Sequence, residues 1–249
     1  MNIPSNFSPK ALVFDYGGTL DTGGCHWLPM MLRAYQRRQL GVGEDDFRKA
    51  YVQVERLLGS QPLIGPHFTF RQTLHTKLRL QFEQLRTLGT ELPAAMADQL
   101  TADLYASAAR HTRHSATVLR ALQEQGNTLA LVSNFYGNLT TVLQEFGLRD
   151  YFQCVVESAA VGIRKPDPAI FSLALSRLGL QPEEALVVGD SLKNDLEPAH
   201  SLGCHVVRLV EPSLSASEYG PFPVITDLDE IPGYEVRGAR YGNKIENRK

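Results

Sequence analysis

The sequence predicts an α/β protein built on a parallel sheet, with an all-helical insert after the first strand. Three observations carry this reading. From residue 115 onward, short apolar, β-rich runs alternate with segments of helical period, the pattern of strands joined by helical crossovers. Ahead of them stands one isolated apolar run, Ala11-Leu12-Val13-Phe14, which halts at Asp15 and is followed by Gly17 and Gly18. Between the two, residues 27–109 carry only helical spacing.

The elements follow in order. The run 11–14 reads as a buried strand feeding a tight turn. In the insert, Leu28, Met31, Leu32 and Tyr35, then Leu74, Leu78, Phe82 and Leu85, recur at helical intervals, with breaks at 41–45, 59–66 and 89–93. Residues 63–70 read first as an inter-helix connection whose aromatics, Phe68 and Phe70, join the core of the insert, and second as a specificity loop. Arg71, Lys77 and Arg79 read first as a solvated helix face and second as a cluster that attracts anionic substrates.

A helix at 115–125 stops at Gly126, and a strand at 128–132 ends in Ser133-Asn134. A helix at 139–146 stops at Gly147, and 154–156 is the next strand. The helix at 168–178 opens on Pro168 and closes at Gly179, the expected asymmetry of helix ends. A strand at 185–188 ends in Gly189-Asp190, then come a helix at 194–202 and strands at 205–207 and 224–226. The polar stretch 237–249 is expected to fray. Residues 1–20 and 113–249 thus form a Rossmann-like, three-layer α/β/α core, and residues 21–112 form the helical insert.

Composition narrows the function. The 249 residues carry 27 acidic and 25 basic side chains, a net charge of −2. There is no basic surplus for nucleic-acid phosphates, and no apolar run reaches the roughly 18 residues of a membrane span. The first ten residues have no charged-then-apolar leader. Cys25, Cys154 and Cys204 form no Cys-x-x-Cys pair. A cytoplasmic protein, monomeric or weakly dimeric, is expected, with Cys154 and Cys204 packed in the core.

The strand ends carry residues that a core rejects: Asp15, Ser133-Asn134 and Asp190, with Asp195 five residues on and Lys165 in Gly162-Ile163-Arg164-Lys165-Pro166-Asp167-Pro168. In a parallel sheet these ends open on one rim. Three carboxylates in one cleft repel, and a hard cation such as Mg²⁺ relieves the repulsion. Lys165 adds a positive charge. The Ser133 hydroxyl and the backbone of the glycine turn around Gly18 and Thr19 can hold anionic oxygens. A carboxylate nucleophile, a cation, a lysine and a hydroxyl suit attack on phosphorus.

These residues also resemble the four motifs of the haloacid dehalogenase superfamily. Phe14-Asp15-Tyr16-Gly17-Gly18-Thr19-Leu20-Asp21 is similar to the first and Ser133-Asn134 to the second. Lys165 with Pro166-Asp167-Pro168 is similar to the third, and Gly189-Asp190-Ser191 through Asn194-Asp195 to the fourth. The insert resembles a cap placed after the first strand. The resemblance implies a Mg²⁺-dependent phosphatase acting on a small phosphorylated metabolite. Asp15 would be the nucleophile that forms an aspartyl-phosphate. Ser133, the amide of Asn134, Gly18 and Thr19 would hold the phosphoryl group. Lys165 would bridge nucleophile and phosphate. Asp15, Asp190, Asp195 and the carbonyl of Gly17 would hold the metal.

Gly17 departs from the phosphatase pattern, which places an aspartate there as general acid and base. Such help is typically worth about 10²–10⁴ in rate. Candidates to replace it are His26, first, then Tyr16, His67, His75 and Tyr136. Two alternatives follow from the same glycine. One is a catalytically weak or inactive descendant that binds a phosphate ligand or a protein. The other is a phosphonate hydrolase, which would need a cap lysine, Lys49 or Lys77. Dehalogenation is disfavoured, because that branch has a tyrosine at this position and needs no metal, whereas Asp190 and Asp195 look like intact ligands.

Overall fold

The computed structural model describes residues 7–231; the polar stretch 237–249 lies outside them. Six parallel strands form one sheet in the order β3-β2-β1-β4-β5-β6. They are β1 Ala11–Phe14, β2 Thr128–Ser133, β3 Cys154–Glu157, β4 Ala185–Gly189, β5 His205–Leu209 and β6 Val224–Ile225. Each apolar run of the sequence became a strand because both sheet faces are covered. Alternation sends Leu12, Phe14, Leu131 and Val188 to one core, and Val13, Ala130, Val132 and Val187 to the other. Cys154 and Cys204 lie in the second core as free thiols, as expected.

Eight helices accompany the strands among the described residues. The insert contributes α1 Trp27–Arg37, α2 Glu44–Ser60, α3 Phe70–Thr87 and the first part of α4 Ala95–Glu124. Then come α5 Leu139–Glu145, α6 Ser158–Val161, α7 Ala169–Leu178 and α8 Glu197–Ser201. α3 starts on a capping box between Thr69 and Gln72. α7 stops at Gly179, whose φ of 68° is the left-handed conformation glycine adopts without cost.

One helix departs from the sequence reading. The segment 115–125 is not a separate helix but the end of α4, about 45 Å long at 1.5 Å per residue. Its first half packs through Ala97, Leu100 and Leu104, its second through Val118, Leu119 and Leu122. Nothing between 95 and 124 breaks a helix, since neither glycine nor proline occurs there. The Ser115 hydroxyl donates to the Leu20 carbonyl (2.7 Å), tying this rod to the turn after β1. The predicted helix 194–202 is likewise two pieces, a wide turn over Leu192–Leu196 and then α8.

The chain leaves β1, builds β2 and β3 on one side, then crosses to β4, β5 and β6 on the other. β1 is therefore the strand where the winding reverses. Crevices for ligands open beyond the carboxyl ends of strands at such a reversal.

Candidate active site

Phe14, the last residue of β1, is paired with Leu131 of β2 and Val188 of β4. The residues that follow each partner are thereby brought together: Asp15, Ser133 and Asp190. The Asp15 amide extends the pairing by donating to the Val188 carbonyl (3.0 Å).

Glycine makes room for the carboxylates. Gly18 has φ +104°, and a Cβ there would lie 2.4 Å from Asp190 Oδ1. A Cβ on Gly189 would lie 2.5 Å from that of Asp195. The Thr19 hydroxyl sits between Asp15 Oδ2 (3.3 Å) and Asp190 Oδ1 (3.4 Å). Gly18→Ala adds both backbone strain and a clash. It is expected to cost about 1–3 kcal/mol and to weaken divalent-cation binding. Denaturation and metal titration check this; wild-type values in both would contradict it.

Lys165 is the counter-charge. Its Nζ donates to Asp15 Oδ1 (2.5 Å), Asp195 Oδ1 (2.6 Å) and the Val132 carbonyl (3.1 Å). All three donors of the ammonium are used. The Asn134 side chain clamps the Lys165 backbone, donating to its carbonyl (2.9 Å) and accepting from its amide (2.9 Å). Sequence reasoning gave Asn134 only a backbone amide for phosphate and missed this clamp. Asp195 Oδ2 accepts from the Ser191 amide (3.0 Å).

The charges do not balance. Oxygens of Asp15, Asp190 and Asp195 lie within 4.8 Å of one another, all three residues are buried, and among the described residues the ammonium bonded to them is that of Lys165. Burial pushes the Asp15 carboxyl up to about 6, with Lys165 opposing and Asp195 adding. Asp190 is raised well above the usual range by burial, then by Asp195 and Asp15. Burial alone would lower Lys165, but Asp15 and Asp195 outweigh it and raise its pKa. An all-oxygen donor set short of two positive charges fits a hard divalent cation.

That imbalance has a pH signature. Because the folded pKa of Asp15 and Asp190 is raised, the metal-free protein keeps their full stabilisation only below about pH 4; the part owed to Asp15 is lost as pH rises through about 6, and the part owed to Asp190 as pH rises above the ordinary carboxylate range. Mg²⁺ is expected to raise Tm at pH 7.5 and to do so much less at pH 5. At a hundredfold excess over Kd the gain is about 2.7 kcal/mol, or roughly 5–10 °C for a chain of this size. Thermal melts with and without Mg²⁺ at the two pH values read this directly. A pH-independent shift, or none, would contradict it.

The carboxylates floor a cavity of about 150 Å³. Asp15, Gly17, Ser133, Lys165, Asp190 and Asp195 face it from the sheet rim. Trp27, Tyr51, Glu55, Phe70 and Lys77 face it from the insert, and Tyr136 from the loop after β2. Gly18 and Thr19, expected to hold phosphate, are not on this lining: the Gly18 amide donates to Asp21 Oδ1 (2.8 Å), and Thr19 is fully buried. Asp21 also accepts from Trp27 Nε1 (2.8 Å), and burial, against those two bonds, lifts its carboxyl to about 7. It fixes the turn rather than facing the cavity.

The candidate replacements for an acid at position 17 divide. His26 lines the cavity. Its Nδ1 accepts from the Leu28 amide as the N-cap of α1 (3.2 Å), which leaves the proton on Nε2. The protein packed around the ring lowers its pKa. Tyr16 is fully buried edge-on against Phe70 and Phe135, its hydroxyl without a hydrogen-bond partner among the described residues. His67 is exposed, and His75 pairs with Asp98 (3.1 Å); neither lines the cavity. Tyr136 does, donating to Glu55 Oε2 (2.8 Å).

Lys77 corrects the sequence reading most. It is not on a solvated face but 5% exposed in the cavity wall, 2.6 Å from Glu55 and 3.1 Å from the Tyr136 hydroxyl. The signal was available: Phe70, Leu74, Leu78, Gln81 and Leu85 are the buried face of α3, and Lys77 falls on that face. Arg71 and Arg79 are exposed as expected, and Lys49 is exposed beside Asp46. Phe70 joins the core, while Phe68 and Phe70 also anchor the insert to the sheet domain. Asn138 Nδ2 donates to the Phe68 carbonyl (2.8 Å), and the Phe70 amide to Glu145 (2.5 Å).

The sequence model of the haloacid dehalogenase-like hydrolase family matches residues 9–203. The chain is 30% identical to the bovine (Bos taurus) haloacid dehalogenase-like hydrolase domain-containing protein 3 over 67% of this chain and 66% of that one. It thus spans just under two thirds of that relative's length. It is 30% identical to a phosphoglycolate phosphatase of Vibrio vulnificus, over 78% of this chain and 81% of that one. Among solved structures it resembles L-2-haloacid dehalogenase of Xanthobacter autotrophicus, at 21% identity and a TM-score of 0.56, covering 93% and 99% of the two chains. At that identity the likeness concerns the fold alone. Among the described residues, no helix is long and apolar enough to cross a membrane.

Proposed function

Because the chain belongs to the haloacid dehalogenase-like hydrolases, we propose that it is a Mg²⁺-dependent phosphatase of a small phosphorylated metabolite, acting through an aspartyl-phosphate on Asp15. The observation that carries this is the joint geometry of Asp15, Asp190, Asp195 and Lys165 under one cavity. The phosphoglycolate phosphatase relative supports the same class of reaction. Residues 21–112 are read as the cap, with α4 running out of it into the core.

In this reading, Asp15, Asp190, Asp195 and the Gly17 carbonyl would hold Mg²⁺, which would supply positive charge against the phosphoryl oxygens. Asp15 attacks phosphorus and the ester oxygen leaves with its electron pair, giving an acyl-phosphate and an alkoxide that needs a proton. Lys165 orients the nucleophile and spreads charge from the transferring group. Ser133, buried at the end of β2, donates to a phosphoryl oxygen with the Asn134 amide beside it. Water then attacks phosphorus, and the Asp15 carboxylate leaves. The family's side chain for moving those protons is absent at Gly17, and His26 offers only an Nε2 donor while it caps α1. Esters with good leaving groups are therefore the better substrates. Hydrolysis of p-nitrophenyl phosphate with and without Mg²⁺ tests the reading; a rate equal to that of Asp15→Asn would end it.

The non-hydrolytic alternative rests on the same glycine and is separated by Gly17→Asp, discussed below. The phosphonate alternative gains a cavity lysine in Lys77 but loses its chemistry. Burial alone would lower that ammonium's pKa, yet Glu55, with Tyr51 and Asp21, outweighs burial and raises it. A lysine kept protonated is a poor nucleophile for a carbonyl.

A further inference from the structure

Among the residues lining the cavity are three side chains that the phosphoryl chemistry does not use. Lys77 on α3 lies 2.6 Å from Glu55 on α2 and donates to the Tyr136 hydroxyl (3.1 Å), which itself donates to Glu55 Oε2 (2.8 Å). The rings of Trp27, Tyr51 and Tyr136 surround the ammonium, with centroids 6.0, 5.7 and 5.4 Å from Nζ. All five residues line the cavity floored by Asp15.

We propose that Lys77, Glu55 and Tyr136 form the leaving-group subsite, and that it selects phosphate monoesters whose alcohol half carries a hydroxyl. The proposal rests on the phosphatase reading and names its substrate class.

A buried ion pair is a weak source of stability, and apolar side chains of the same shape often do as well. This pair instead stands at a cavity wall, bonded to the Tyr136 phenol and flanked by the rings of Trp27 and Tyr51. Of the three donors of the ammonium, the Tyr136 hydroxyl takes one, and the contact with Glu55 is an ion pair that leaves the buried Glu55 Oε1 without a hydrogen-bond partner among the described residues. A carboxylate has about four acceptor sites, of which this pair and Tyr136 use only part. The subsite therefore presents a spare N–H beside spare acceptor capacity. A hydroxyl uses both, accepting from Lys77 and donating to Glu55. A substrate carboxylate has no such fit, because it must sit against the Glu55 carboxylate in a water-poor pocket, where like charges repel strongly. Arg164 lies on the lining but is exposed, so its charge is screened by solvent. The aromatic walls supply apolar surface to the carbon skeleton.

Three esters with three-carbon skeletons test the assignment: glycerol 3-phosphate with hydroxyls, 3-phosphooxypropanoate with a carboxylate, and propyl phosphate with neither. With Mg²⁺ present, the protein is expected to favour glycerol 3-phosphate over the other two by about 10–100-fold in kcat/KM, the worth of a hydrogen bond to a charged group. Lys77→Met and Glu55→Gln are each expected to bring those ratios toward one. The double variant removes both charges together, so a misfolded single variant does not block the test. A preference for the carboxylate ester overturns the proposal. So does an unchanged preference in variants whose circular-dichroism melts show a folded chain. Absence of Mg²⁺-dependent turnover on all three, and on p-nitrophenyl phosphate, overturns the phosphatase reading and the subsite with it.

Discussion

Asp15→Asn is expected to abolish Mg²⁺-dependent phosphate release, lowering kcat by about 10⁴-fold or more, as loss of a covalent nucleophile does elsewhere. The amide is nearly isosteric, so the backbone at the end of β1 and its bond to Val188 remain. Two functions are removed together: the attacking oxygen and one carboxylate of the cation site. Lys165 then keeps Asp195 as its remaining carboxylate partner. Removing the burial cost that raises Asp15, with the smaller repulsion from Asp195, also has a sign in stability. The metal-free variant is expected to be at least as stable as the wild type at pH 7.5, where an ionised Asp15 is costly. A variant that is folded, binds Mg²⁺ less well and releases no phosphate satisfies the account. A folded variant with wild-type turnover does not.

Gly17→Asp is expected to raise turnover of alkyl phosphates by about 10²–10⁴-fold, the usual worth of a positioned acid–base group. Gly17 has φ −80° and ψ 108°, a conformation any residue adopts. A Cβ there meets only Trp27, at 3.8 and 3.9 Å, which is ordinary contact. Neither strain nor a clash therefore requires glycine, and the restored carboxyl would lie in the cavity that Gly17 already lines. The gain should be small for p-nitrophenyl phosphate, whose leaving group needs no proton. A wild type with no turnover and a Gly17→Asp variant with turnover would favour the non-hydrolytic descendant. No gain in the variant would mean that another group already moves the proton.

The sheet and its rim were legible because the physics is local. An apolar run that stops at a polar residue marks both a buried strand and the side chain at its open end, and Asp15, Ser133 and Asp190 were found this way. Lys165 was read as a positive charge on the rim, but its partners were not legible, since Asp15 and Asp195 lie 150 and 30 residues away and nothing local to Lys-Pro distinguishes a loop from a counter-ion. The length of α4 was missed because Ser115 looked like a helix start, although no breaker precedes it. What stayed hidden depends on partners remote in sequence. Lys77 was read as solvated because lysine usually is, and its ionic partner Glu55 and hydroxyl partner Tyr136 are 22 and 59 residues away. Asn134 clamps a backbone 31 residues on, which no spacing rule anticipates. Thr19 was placed against phosphate because a glycine turn suggests an anion cradle; its hydroxyl instead bridges two carboxylates.

The central claim is that Asp15 becomes phosphorylated in the course of Mg²⁺-dependent hydrolysis. Acid quenching during turnover of a reactive phosphate ester, borohydride reduction of the acyl-phosphate and peptide mass spectrometry test it most directly. The account predicts homoserine at position 15, formed only when Mg²⁺ and ester are both present and absent from Gly17→Asp once substrate is exhausted. Rapid Mg²⁺-dependent turnover with an unmodified Asp15 at every quench time, or modification at another carboxylate, would contradict it.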